Sequence, residues 1–170
     1  MPAEAPLRRL LLLHRDPALA GRVRALLEPA SVAHHRVAHF THLTDALTCL
    51  QIDDMDLVLV GPEPADVDQL RAVRELGAAR PETPLLALMV SPEPGQAIAA
   101  REAGARECLP LDEADLPSWL RTIDFCLREA AISRELAEVT ARAKEITCTG
   151  QNNRAHCSIA LRIDQRRRQL

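Results

Sequence analysis

The chain has 170 residues, 47% of them hydrophobic but only 2% aromatic, so its core must be aliphatic and it is long enough for one domain with an extension. The formal net charge of -3 is uneven: residues 1–146 carry sixteen basic and twenty-three acidic side chains, whereas 147–170 carry five Arg and one Asp. The acidic bulk argues against nucleic acid as a partner of the folded part, five cysteines without framework spacing and no signal peptide point to a reduced cytoplasmic protein, and no stretch approaches the roughly 20 apolar residues of a membrane span.

Leu7 to Leu13 reads as a first strand, and His14-Arg15-Asp16-Pro17 turns it into a helix. Asp16 is placed to cap that helix, and Pro17 suits its first position, where a missing N–H costs nothing. Leu19, Val23, Leu26 and Leu27 fall on one helical face, which ends near Glu28-Pro29. A weaker strand around His35 to His39 follows, then a helix from Thr41 whose apolar positions are Leu43, Ala46, Leu47 and Leu50. Leu57 to Val60 is a short apolar run, half of it β-branched, closed at once by Gly61-Pro62; this predicts a strand buried on both faces in the middle of a parallel sheet. Sheets of that kind place their chemistry just past the carboxyl ends of the strands, and residue 61 there is a glycine. A stiff Pro62-Glu63-Pro64 loop leads to a helix marked by Val67, Leu70, Val73 and Leu76, which Gly77 is expected to end. Pro84 introduces a strand from Leu85 to Val90, Gln96 to Ala103 is a short helix closed by Gly104-Ala105, and Glu107 to Leu109 is a fifth strand. Strands alternating with helices predict right-handed βαβ units in a doubly wound α/β sheet.

The last helix is longer. From Asp115 to about Ile146 only Pro117 interrupts it, in the first turn where proline is tolerated. Leu116, Leu120, Ile123, Leu127 and Ala130 form one apolar stripe; Ile132, Leu136, Val139, Ala143 and Ile146 form a second, out of phase with the first. The first stripe is expected on the sheet and the second in a coiled coil that makes a homodimer, with a helix folded back on its own domain as the competing reading. The expected organisation is a domain over 1–130, a helical extension over 131–148, and a basic stretch over 149–170 that is a disordered tail or the start of a further domain.

With these elements in place, residues 10–129 resemble the receiver domain of bacterial two-component response regulators, the flavodoxin-like CheY fold with strand order 2-1-3-4-5. The resemblance rests on Leu10-Leu11-Leu12-Leu13-His14-Arg15-Asp16-Pro17 as the first strand and turn, Asp56-Leu57-Val58-Leu59-Val60 as the third strand, Pro84 to Leu88 as the fourth, and Ala103-Gly104-Ala105-Arg106-Glu107-Cys108-Leu109 as the turn into the fifth. Receivers accept a phosphoryl group on an aspartate ending the third strand, and the matching position is Gly61. An acidic pair after their first strand holds Mg²⁺, and the matching positions are His14 and Arg15, with Asp16 one place on as a cap. Their hydroxyl residue ending the fourth strand is matched by Met89, with Ser91 two residues on, and their lysine after the fifth strand by Leu111. Losing acceptor, metal ligands, hydroxyl and lysine together leaves no charge arrangement for phosphoryl transfer, which is catalysed by positioning and electrostatics. The resemblance therefore implies a non-catalytic pseudo-receiver that works by protein–protein interaction and dimerisation on an attached or partner output, with no cofactor and no resident metal.

Other constellations are weaker. His35 and His39 share one face of a strand, but their Cα atoms are roughly 13 Å apart along an extended chain, too far for one ion; surface histidines on an edge strand are the better account. Cys148, His156 and Cys157 lack a paired Cys-x-x-Cys and a fourth ligand. An alternative function is a ligand sensor, in which the pocket around His14, Arg15, Gly61 and Met89 binds a small anion or nucleotide in place of Mg²⁺.

Overall fold

The computed structural model of the chain describes the backbone of residues 7–28, 35–62, 64, 67–90, 93–111 and 116–167, and side chains as far as residue 144 apart from that of Leu116. Ser91 and Asp115 lie outside the described residues, as does the side chain of Ile146. In chain order the elements are β1 (Arg8–Leu13), α1 (Pro17–Leu27), β2 (His35–Phe40), α2 (Leu43–Ile52), β3 (Leu57–Val60), α3 (Gln69–Ala79), β4 (Leu85–Met89), α4 (Pro94–Glu102), β5 (Glu107–Pro110) and α5 (Leu116–Arg167). All strand pairs are parallel and their order is β2-β1-β3-β4-β5, the flavodoxin-like sheet expected from the sequence.

Burial on both faces explains the unbroken apolar runs. Leu10, Leu12, Leu57, Leu59, Leu86 and Leu88 point to the face covered by α1 and α5. Leu11, Leu13, Val58, Val60, Ala87 and Met89, one residue out of step, point to the face covered by α2, α3 and α4. Each fully buried Leu contributes about 1.5–3 kcal/mol over its exposed state, so these strands hold the fold. The edge strand β2 is closed differently. Val37 donates its N–H to Glu28 Oε1 at 3.3 Å and accepts from Arg24 Nε at 3.2 Å, so two side chains from the end of α1 occupy backbone groups on the strand's free edge. This blunts an edge that would otherwise pair with another strand.

Several elements depart from the sequence reading. Asp16 caps α1 as expected, its carboxylate accepting from Ala18 N–H at 2.8 Å. Gly77, however, does not end α3, which continues to Ala79 with Arg80 as its cap; nothing lies near a Cβ there, and Ala78 and Ala79 simply prolong the helix. His35 is buried, not a surface histidine. The packed stripe of α5 is Trp119, Ile123, Cys126, Leu127 and Ala130, with Leu120 only partly buried. Trp119, the single tryptophan, was absent from the expected stripe, yet it is among the largest fully buried side chains, and its indole N–H reaches the Pro110 carbonyl at 3.4 Å. α5 also extends past Ile146 to Arg167, because no proline follows Pro117 and Gly150 alone does not stop it. Residues 149–167 are thus helical in backbone. The chain divides into two compact units, Met1–Ala130 and Ala131–Leu170. No described helix is long and apolar enough to cross a membrane.

Candidate functional site

Strand register brings the expected positions to the carboxyl end of the sheet. Leu13 pairs with Val60, and Val60 with Ala87. The next residues are tied across the strands: His14 N–H donates to the Phe40 carbonyl at 3.0 Å, Gly61 N–H to the Leu13 carbonyl at 2.8 Å, and Leu111 N–H to the Met89 carbonyl at 2.7 Å. These bonds fix the backbone at residues 14, 61 and 111 before any side chain is considered.

His14 is buried at 7% exposure. Its Nδ1 accepts the Asp16 backbone N–H at 2.9 Å, which places the ring proton on Nε2, and its carbonyl accepts from His39 Nε2–H at 2.7 Å. The ring lies over Gly61. A Cβ built on Gly61 would fall on that ring, nearest to Cδ2, and 2.7 Å from Cγ and 2.8 Å from the His14 Cβ. Gly61 is not in the left-handed region, which among the described glycines Gly104 (φ 117°) alone occupies, so close approach and not backbone conformation makes glycine the residue that fits here. The space that a side chain at residue 61 would take is therefore filled by a neighbouring imidazole.

A second brace lies between β3 and β4. Gln69, the first residue of α3, donates its amide hydrogens to the Val60 carbonyl at 3.0 Å and the Leu88 carbonyl at 2.8 Å. Sequence reading missed it. A glutamine at a helix start carries no periodic signal, and only the fold places its amide between two strand ends.

The remaining expected positions separate. Met89 is buried in the core on the α2–α4 side and does not line the open cleft. Arg15 is exposed. Leu111 packs against the opposite core, beneath α1 and α5. His14, Asp16 and Leu111 do share a cleft of about 410 Å³ with Arg22, Pro62 and Val90. The site does not fit the divalent ion that receivers hold. Nδ1 of His14 is committed to a backbone N–H, the Asp16 carboxylate to the helix cap, and the neighbouring positions are Arg15 and Gly61. Among the described residues no group of three His, Cys, Asp or Glu side chains is arranged to hold a metal. The thiols of Cys49, Cys108 and Cys126 are pushed up by burial, which leaves them protonated and poor nucleophiles.

The second unit carries the other expected surface. Ile132, Leu136 and Val139 are 65%, 66% and 63% exposed, and Ala143 is also exposed. The described residues of the stripe predicted from heptad spacing are thus uncovered in the single chain.

No family model and no curated protein sequence matches the chain. Among solved structures it is similar to a CheY-like response regulator receiver domain protein from Methanospirillum hungatei, at 16% identity over 75% of this chain and 99% of that one, with a TM-score of 0.65. It is also similar to the receiver domain of a sensor histidine kinase from Pseudomonas aeruginosa, which holds a magnesium ion in its active-site cleft, at 18% identity over 72% and 98% of the two chains and a TM-score of 0.62. NtrX from Brucella abortus matches at 16% identity and a TM-score of 0.68, over 79% of this chain but only 30% of its own. Likeness at such identities carries the architecture, and over about three quarters of its length this chain has the fold of the CheY-like receivers.

Proposed function

We propose that the chain is a non-catalytic signalling module, a pseudo-receiver of two-component type that acts by protein–protein contact and self-association on an attached or partner output. The observation that carries this reading is the His14 ring lying where a side chain at residue 61 would be. Phosphoryl transfer needs an acceptor, a positioned metal and a cation to take the developing charge; the matching positions hold Gly61, His14, Arg15, Met89 and Leu111. The exposed Ile132, Leu136 and Val139 support self-association, since an apolar seam on a long helix is stable only when covered. The match to part of the longer NtrX chain fits a module that takes its role from what it is joined to.

The test has two arms. Intact mass after incubation with acetyl phosphate and Mg²⁺ should show no phosphoryl gain, and sedimentation should give a dimer. A stable phosphoryl adduct would overturn the non-catalytic reading; a monomer at all concentrations would overturn self-association. The cleft bounded by His14, Asp16 and Arg22 favours a second reading, a sensor of small anions or nucleotides. A thermal-shift series with phosphate and nucleotides separates the two, because a ligand at a hundredfold over its Kd adds about 2.7 kcal/mol.

A further inference from the structure

The seam of the second unit has a charge pattern that distinguishes the two ways of pairing it. Ile132 and Val139 occupy one of the two seam positions of the heptad, Leu136 and Ala143 the other. Glu135 and Arg142 each precede a residue of the second set, are exposed, and sit on the same flank of the seam. We infer that two copies of the chain pair through residues 132–143 as antiparallel helices, registered so that Leu136 packs on the partner's Val139. The inference rests on the self-association proposed above and adds its orientation and register.

Four arrangements decide it. In a parallel, in-register pair each flank residue faces the one five places on in the other helix, so Glu135 meets the partner's Thr140 and Arg142 the partner's Thr147; no charge finds its opposite. Thr140 is moreover already satisfied, its hydroxyl donating to the Leu136 carbonyl of its own helix at 2.7 Å. In an antiparallel pair this flank faces itself. With Leu136 on the partner's Val139, Glu135 meets the partner's Arg142, and symmetry makes the contact twice. The same register sets the large Ile132 against the small partner's Ala143. A slide of one heptad in one direction brings Arg142 against the partner's Arg142, and in the other Glu135 against the partner's Glu135. Like charges at that spacing oppose both alternatives, so the pattern selects one register as well as one direction.

The experiment uses the full chain. By sedimentation, Glu135→Arg should raise the dimer dissociation constant roughly tenfold, as two attractive pairs become two repulsive ones, and Glu135→Arg with Arg142→Glu should restore it. In a background with Cys148→Ser and Cys157→Ser, Leu136→Cys and Val139→Cys should each fail to cross-link with itself under mild oxidation, while a mixture of the two should form a disulfide. Self-cross-linking at position 136, with a dissociation constant unmoved by Glu135→Arg, would overturn the antiparallel arrangement and leave the dimer intact. A wild-type chain that stays monomeric would instead remove the self-association on which the inference rests.

Discussion

The contact between His14 and Gly61 makes a prediction that can be worked from geometry. Gly61→Ala adds one methyl group on a backbone that alanine can adopt, so by itself the change should stabilise the chain by about 0.4–1 kcal/mol through the unfolded state. The methyl group, however, lands on the His14 side chain, 2.7 Å from Cγ and 2.8 Å from Cβ. Rotating the ring about χ1 relieves the first overlap but not the second, because the His14 Cβ is fixed by a backbone held to Phe40 and, through Leu13, to Gly61 itself. Overpacking of this kind costs about 1–3 kcal/mol, leaving a net loss between about zero and about 2.6 kcal/mol, centred near about 1.3 kcal/mol. For a chain of this size each kcal/mol lowers Tm by roughly 2–4 °C. Urea unfolding followed by the fluorescence of Trp119, buried in the same domain, measures it. The cost should be largest with His14 present, smaller in a His14→Ala background where Cβ remains, and smallest in His14→Gly. An equal cost in all three backgrounds would refute the argument that the imidazole excludes a side chain at 61.

Gly61→Asp should fail to acquire phosphoryl from acetyl phosphate and Mg²⁺ in intact-mass measurements, since the new carboxylate would contend with the same ring and lacks metal-binding carboxylates beside it. Leu136→Asp with Val139→Asp should halve the sedimentation mass while leaving the Trp119 unfolding midpoint unchanged, because both residues are exposed in the single chain. Gln69→Ala removes two hydrogen bonds at the β3 and β4 ends and should cost about 1–2 kcal/mol in urea unfolding. Burial holds the thiols of Cys49, Cys108 and Cys126 above their ordinary value of 9.0. Below that pH both folded and unfolded chains keep these protons; above it the unfolded chain loses them first, so stability should fall as pH rises past 9.0. The decline in urea midpoint over that range should be shallower in Cys126→Ala.

The parallel sheet was legible in the sequence because its causes are local. Four-residue apolar runs such as Leu57 to Val60, closed by Gly61-Pro62, can be satisfied only between two covering layers, and Asp16-Pro17 declares a helix start by its own hydrogen-bonding chemistry. What lay between elements was harder to read. On α5 a stripe counted from the aliphatic residues holds Ile123, Leu127 and Ala130, which are buried, but not Trp119 and Cys126, and only packing into the core shows that these two share the inner face. Gly77 has the residue type of a helix cap, but Ala78 and Ala79 carry the helix past it.

The sequence by itself determined that residue 61 has no side chain and that residues 14, 15, 89 and 111, which its resemblance to receivers matches to their phosphorylation positions, are His, Arg, Met and Leu. It suggested a vacancy. Tertiary structure decided otherwise, because His14 and Gly61 are 47 positions apart and meet only once Leu13 and Val60 pair across β1 and β3. That register sets the imidazole on the glycine, and the fold sets the Gln69 amide across the next pair of strand ends. A sequence records which side chain stands at each position; whether the space beside a glycine is open or filled depends on distances between strands, which no local pattern encodes.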